Sequence, residues 1–240
     1  MHKTTAEAVE FVHRFRHALA HDVSVEILLI PPFTALDVIR QMLHADDPFR
    51  LGAQNLSWEA EGAYTGEVSG HMLKDVGCRS VIVGHSERRR LLGETDALIN
   101  NKLKAALQHG LAPILCVGET LEERQAGHTQ DVVKEQLLGA LRDVAPEQMT
   151  GLAIAYEPVW AIGTGYAATV RHIEEVHAFL RSILNVEWPQ IGQRTRIIYG
   201  GSVSPENARK FFGSDEIDGA LVGKACLDPE GFAKICAMAS

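Results

Sequence analysis

Cysteine is scarce in this sequence: Cys78, Cys116, Cys226 and Cys236 are the four in 240 residues, and they form neither a C-x-x-C pair nor a zinc or dense-disulfide spacing. That excludes a stapled secreted scaffold and predicts a reducing, cytoplasmic setting. Long apolar runs are lacking too. The stretch from Ile27 to Phe33 is far too short to cross a bilayer, and residues 1–10 contain no apolar targeting core, so a soluble protein with no membrane partner is expected. Basic residues are outnumbered, 23 Lys plus Arg against 31 Asp plus Glu, which gives a net charge of −8 and argues against nucleic acid as a partner. A small anionic substrate stays open, because helix N-termini and a few local cations can focus positive potential into one cleft of an acidic protein.

What is present is ordinary globular composition, 46% hydrophobic and 22% charged, without linkers or low-complexity segments. One domain spanning 1–240 is expected, a length that barrel-type α/β folds occupy as a unit. Helical and strand patterns alternate along the chain. Thr4 with Glu7 reads as a capping box opening a helix whose face is Ala8, Val12, Phe15 and Leu19, ending near Ala20. Seven short apolar runs then fit strands buried on both faces: Glu26–Ile30, Arg50–Gln54, Ser80–Val83, Ala112–Val117, Leu152–Ala155, Arg196–Tyr199 and Gly219–Val222. Crossover helices lie between them, for example through Ile99, Leu103, Ala106 and Leu107, or Val170, Ile173, Leu180 and Leu184. Strict alternation allows a doubly wound sheet or a closed (β/α)8 barrel. No G-x-G-x-x-G follows an early strand, and the chemistry-bearing residues follow many different strands, which favours the barrel and its C-terminal face. Seven strands behind an opening helix read as eight with the first absent from the sequence as given.

Three groups of residues could carry chemistry. His85 follows the Ser80–Val83 run at the start of a helix; by itself it is one of 11 histidines that local hydrogen bonds could satisfy. Glu157 ends the run that begins at Leu152 and precedes Pro158; a structural ion pair there is as reasonable as catalysis. The loop 161–165 holds two glycines and reads as a lid offering N–H groups to an anion, and glycine turns follow the last two runs at 199–202 and 221–224, where barrels frequently build a phosphate site.

The blocks Ala53-Gln-Asn55, Gly62-Ala-Tyr-Thr-Gly-Glu67, Gly84-His-Ser-Glu-Arg-Arg89, Leu115-Cys-Val-Gly-Glu-Thr120, Tyr156-Glu-Pro-Val-Trp-Ala-Ile-Gly-Thr-Gly165, Tyr199-Gly-Gly-Ser202 and Asp218-Gly-Ala-Leu-Val-Gly223 together resemble the triosephosphate isomerase family along the whole chain. The resemblance implies a glycolytic and gluconeogenic isomerase that interconverts dihydroxyacetone phosphate and D-glyceraldehyde 3-phosphate without cofactor or metal. It implies Glu157 as the base, His85 as a neutral imidazole on the carbonyl, Glu87 as a supporting carboxylate, and Gly163, Ser202, Gly223 and Lys224 around the phosphate. Proton transfer by a glutamate and a neutral histidine under a closing lid is an established example of pKa tuning in this family, and it comes to these residues by resemblance. Thr65 and its neighbours resemble the protruding loop that enters a partner subunit, so a homodimer is implied.

The sequence departs from the family pattern at three places. The family opens on a strand ending in Asn-x-Lys-Met, and this sequence starts at what resembles that methionine, which implies that roughly a dozen residues, one strand and its turn, are not in it. Lys3 lies past the strand end and does not replace the lysine. On that reading the chain as written is expected to be poorly stable and slow, and a non-catalytic remnant is the alternative reading. Tyr166 stands where the lid continues with lysine, and Lys224 where a glycine is common, both bearing on rate and not on identity.

Overall fold

The computed structural model describes residues 1–20, 23–162 and 168–240. Among the described residues six strands, β1 Ile27–Leu29, β2 Phe49–Ala53, β3 Ser80–Val83, β4 Ala112–Val117, β5 Ala153–Tyr156 and β6 Arg196–Tyr199, form one parallel sheet in sequential order. Parallel neighbours need crossovers. These are supplied by helices α1 Thr5–Ala18, α2 Leu36–Met42, α3 Gly70–Asp75, α4 Ser86–Leu92, α5 Asp96–Gln108, α6 Leu121–Gln125, α7 Thr129–Ala140, α8 Val170–Glu187, α9 Ala208–Phe212 and α10 Pro229–Ala239. The strands curl into the half-barrel of a (β/α) barrel. Ile82, Ile114, Cys116 and Ala155 form the packed centre of its interior, with Leu28, Ile30, Ile198 and Leu221 partly buried around them. The larger core lies outside the sheet, between strands and helices, where Ile99, Leu103, Leu137, Ile173, Leu180 and Leu184 are all fully buried.

Local chemistry explains the boundaries. The opening helix carries both halves of the expected capping box: the Thr4 side chain accepts from the Glu7 N–H, and the Glu7 carboxylate accepts from the Thr4 N–H at 2.7 Å. Its buried face is Ala8, Val12 and Phe15, as the periodicity predicts, and the helix stops two residues before Ala20. Lys3 sits ahead of α1 at φ +72°, with its ammonium 5.6 Å from the Phe11 ring. A second capping box, Thr120 with Glu123, starts α6 just behind β4.

The seventh expected strand is corrected. Residues 219–222 pair with β6 through a single bridge, Tyr199 to Ala220, in which the Tyr199 N–H donates to Gly219 O (3.0 Å) and the Leu221 N–H donates to Tyr199 O (2.9 Å). A single bridge, ending at once in the turn of 223–227, is too short to make a strand. The fifth strand is also shifted by one residue, Ala153–Tyr156 in place of Leu152–Ala155, so that it ends on a fully buried tyrosine.

Candidate active site

Glu157 leaves β5 with its backbone held from both sides. Its N–H donates to Val117 O of β4 (2.8 Å), and the Gly200 N–H beyond β6 donates to Tyr156 O (2.7 Å). The loop after β4 approaches so closely that a Cβ at Gly118 would lie 1.7 Å from the Glu157 carbonyl oxygen, and one at Gly200 would lie 2.7 Å from Glu157 Cγ. These glycines are required by space: neighbouring atoms occupy the place of a side chain. The Gly118 peptide is clamped by Gln136, which accepts from its N–H (2.8 Å) and donates to its oxygen (3.2 Å).

The carboxylate itself is 2% exposed. One oxygen, Oε2, accepts the Ser86 N–H at 2.9 Å, and the other, Oε1, lies 3.0 Å from His85 Nε2. Burial pushes the Glu157 carboxyl up from its ordinary range; His85, the Ser86 N–H and the Cys116 thiol oppose the rise without cancelling it. Cys116, wholly buried on β4, is itself pushed well up by burial and by the neighbouring Glu157.

His85 is the N-cap of α4. Gly84, at φ +72°, turns the chain from β3 into that helix, a conformation unfavourable for a residue with a Cβ. The imidazole Nδ1 accepts the Glu87 N–H at 3.3 Å, so Nδ1 carries no proton and Nε2 presents an N–H toward the site. The Glu87 carboxylate is exposed, 4.0 Å from the same Nδ1. This arrangement offers a buried carboxylate able to take a proton and a neutral N–H donor aimed beside it.

The two glycine turns adjoin this pair through β6: Gly200 abuts Glu157, and Leu221 is bonded to Tyr199. Ser202 is exposed, its hydroxyl at 3.5 Å from Ala161 O. Gly223 and Lys224 are exposed at the start of a three-ten turn, and Lys224 keeps a negative φ, so it fills a glycine's place without backbone strain. Gly163 and Tyr166 lie outside the described residues. Thr65 lies in an exposed stretch, residues 60–67, well apart in sequence from the turns named above.

Sequence reasoning missed a cluster just behind Glu157. Glu119, fully buried, accepts from the Tyr156 hydroxyl (3.1 and 3.2 Å to its two oxygens) and from Trp160 Nε1 (2.8 Å). Its block is legible as a family motif, but no spacing tells that it meets residues 37 and 41 positions later. A second hidden group joins Glu94 to Lys102 and Arg88 and Lys102 to Asn55.

The family model for triosephosphate isomerase matches residues 1–239. The chain is 52% identical over 235 residues to the triosephosphate isomerase of Aquifex aeolicus, covering 98% of this chain and 94% of that one. It is also 52% identical over 241 residues to that of Symbiobacterium thermophilum, covering 100% and 94%. A crystal structure of triosephosphate isomerase from Bartonella henselae superposes with a TM-score of 0.89 at 38% identity, over 99% of this chain and 94% of that one. With the half-barrel, the buried carboxylate and the imidazole donor at its strand ends, these matches establish that the chain belongs to the triosephosphate isomerase family, whose members interconvert dihydroxyacetone phosphate and D-glyceraldehyde 3-phosphate.

Proposed function

We propose that Glu157 is the base that removes the carbon-bound proton next to the carbonyl of the triose phosphate and returns it to the neighbouring carbon. His85 donates a hydrogen bond from Nε2 to the carbonyl oxygen and stabilises the enediolate. The backbone N–H groups of Ser202, Gly223 and Lys224 hold the phosphate, with Gly163 assigned on family resemblance alone, and Glu87 supports His85 through its N–H. The observation that carries this reading is the buried Glu157 carboxylate, raised by burial and facing the N–H edge of His85 at 3.0 Å. A base with an elevated affinity for protons beside a neutral donor suits transfer between two carbons at neutral pH.

The test is exchange of the substrate's transferable hydrogen with D2O, followed by NMR, in the unaltered chain and in Glu157→Gln purified identically. A fall on the order of 10³-fold or more is expected. Retention of exchange within about tenfold would remove Glu157 from the role.

The chain acts as one domain of 240 residues in the cytoplasm and pairs as a homodimer through the loop carrying Thr65. Four free cysteines support the compartment. Among the described residues no helix is long and apolar enough to cross a membrane. The exposed apolar side chains Tyr64, Met72, Leu91 and Leu92 support the pairing. Sedimentation of Thr65→Arg against the unaltered chain at micromolar concentration tests it: a loss of mass to the monomer is expected, and a monomer in both overturns it.

A further inference from the structure

The turn that follows residues 219–222 carries a cation without a counter-ion. Lys224 is exposed and directly follows Gly223, where a Cβ would meet nothing within 4 Å, so the place of the missing side chain is open space. Among the described residues neither the Lys224 N–H nor its ammonium has a hydrogen bond, and the ammonium has no ion pair. The acids nearest in sequence are committed elsewhere. Asp218 is held by Arg181 at 2.7 Å, Asp228 accepts the Gly231 N–H at 2.8 Å as the cap of α10, and Glu230 is gripped by Arg14 at 2.9 and 3.0 Å.

The peptide joining Gly223 to Lys224 fixes the direction of that N–H. Its carbonyl accepts the Cys226 N–H at 3.1 Å and the Cys226 thiol at 2.9 Å, so the oxygen faces the inside of the turn. A trans peptide carries its N–H on the opposite side, which sends the Lys224 N–H outward, away from Cys226. An anion that accepts it sits about 2.9 Å from the nitrogen, and a lysine stem carries its ammonium up to about 6 Å from its own Cα, so both donors of this one residue can reach the same phosphate. P-loops join glycine-turn N–H groups to a lysine ammonium for the same reason: the N–H groups orient the anion and the ammonium supplies the charge. Lys3 is a second cation felt in this turn: burial pushes the Cys226 thiol up, and the Lys3 ammonium opposes the rise.

We propose that Lys224 binds the substrate phosphate twice, through its N–H and through its ammonium, and so makes this turn select a dianion over an uncharged triose. The inference rests on the reading that the turn at 223 and 224 holds the phosphate, and adds to it a charge that a glycine at 224 would not bring. The ammonium grips the phosphate equally before and during proton transfer, because the phosphate keeps its charge while the reacting carbons change. Its contribution is therefore uniform binding, visible in KM and not in kcat. A charge-assisted hydrogen bond at an exposed position is worth about tenfold in affinity.

Amide 15N–1H NMR of the chain titrated with inorganic phosphate gives a Kd that needs no turnover. KM and kcat for dihydroxyacetone phosphate are measured on the same proteins: the unaltered chain, Lys224→Met, Lys224→Gly, Lys224→Arg and Lys3→Met. The amides at 223 and 224 are expected to shift with phosphate in all five. Lys224→Met and Lys224→Gly, which keep the N–H and lose the ammonium, raise Kd and KM about tenfold with kcat within about twofold, and Lys224→Arg restores both constants to within about threefold. Lys3→Met changes either constant by less than about twofold, since its charge acts only through the screened field. A Kd in Lys224→Met equal to that of the unaltered chain, or an equal loss in Lys3→Met, overturns the inference and leaves the N–H cradle standing. No amide shift at 223 and 224 in any of the five would instead overturn the cradle reading and this inference together.

Discussion

Glu157 and Glu94 are the same side chain at nearly the same depth, 2% and 3% exposed, and they end in opposite states. Burial pushes both carboxyls up. At Glu94, hydrogen bonds from Lys102 and Arg88 overcome burial and hold the carboxyl below its ordinary range. At Glu157 the partners are an uncharged ring edge, one peptide N–H and a thiol, and burial wins. The difference teaches that depth alone does not make a carboxylate reactive; the charge of its neighbours decides whether it is a locked ion pair or a group ready to take a proton. Glu94 is built locally, six residues from Arg88 and eight from Lys102, on the two helices behind β3, while Glu157 meets partners brought in by β3 and β4.

Breaking the locked pair is expected to have the largest effect on stability. Glu94→Leu leaves Lys102 charged and buried with its hydrogen bond to Asn55, and should cost on the order of 3–5 kcal/mol in urea unfolding. Glu94→Leu combined with Lys102→Met should recover most of that loss, and no recovery would show that the pair holds the fold by its geometry and not by charge compensation.

His177 sharpens the comparison, being a buried titratable group whose charged neighbours, Asp218 and Arg181, act in opposite directions and weigh less than burial. Its Nδ1 meets Glu216 O at 2.8 Å, its Nε2 has no partner among the described residues, and burial pulls it down to about 4. The folded value lies below the unfolded one, near 6.5, so the unfolded chain binds the extra proton first. Stability should therefore be full above about pH 6.5 and fall by on the order of 3 kcal/mol as pH drops toward about 4. His177→Phe should flatten that part of the unfolding free energy measured against pH; an unchanged slope would assign it to other groups.

The smallest expected effect concerns Glu157. Its folded value is raised, so its contribution favours the fold at low pH and is lost as pH rises through that value. Glu157→Gln should accordingly be more stable by about 1 kcal/mol at about pH 8, with the gain vanishing in acid, while exchange activity is lost. Equal stability in alkali would mean that His85 and the Ser86 N–H fully offset burial of the charge.

Much of this architecture is readable from periodicity. The Ser80–Val83, Ala112–Val117 and Arg196–Tyr199 strands stand where the apolar runs end, because each run stops at a glycine, Gly84, Gly118 or Gly200. Residues 219–222 mislead because composition reports burial, not how many residues a neighbour pairs, and here a single bridge to Tyr199 forms. His85 and Glu157 are legible as strand-end residues and meet at 3.0 Å. The Glu119 cluster is not, since its members come from the loop before α6, from β5 and from α8, and each alone resembles an ordinary helix-cap or core residue. Gly118 is likewise silent: only three-dimensional closeness shows that its missing side chain is the space filled by the Glu157 peptide.

The thiol of Cys116 turns the interior of the half-barrel into a recorder. It is fully buried beside Glu157 and held well above the ordinary thiol range, so no alkylating reagent can reach a thiolate while the strands stay closed. Each labelling event then counts one opening of β4 away from β5, and the rate of that chemistry clocks how often the base is left uncovered.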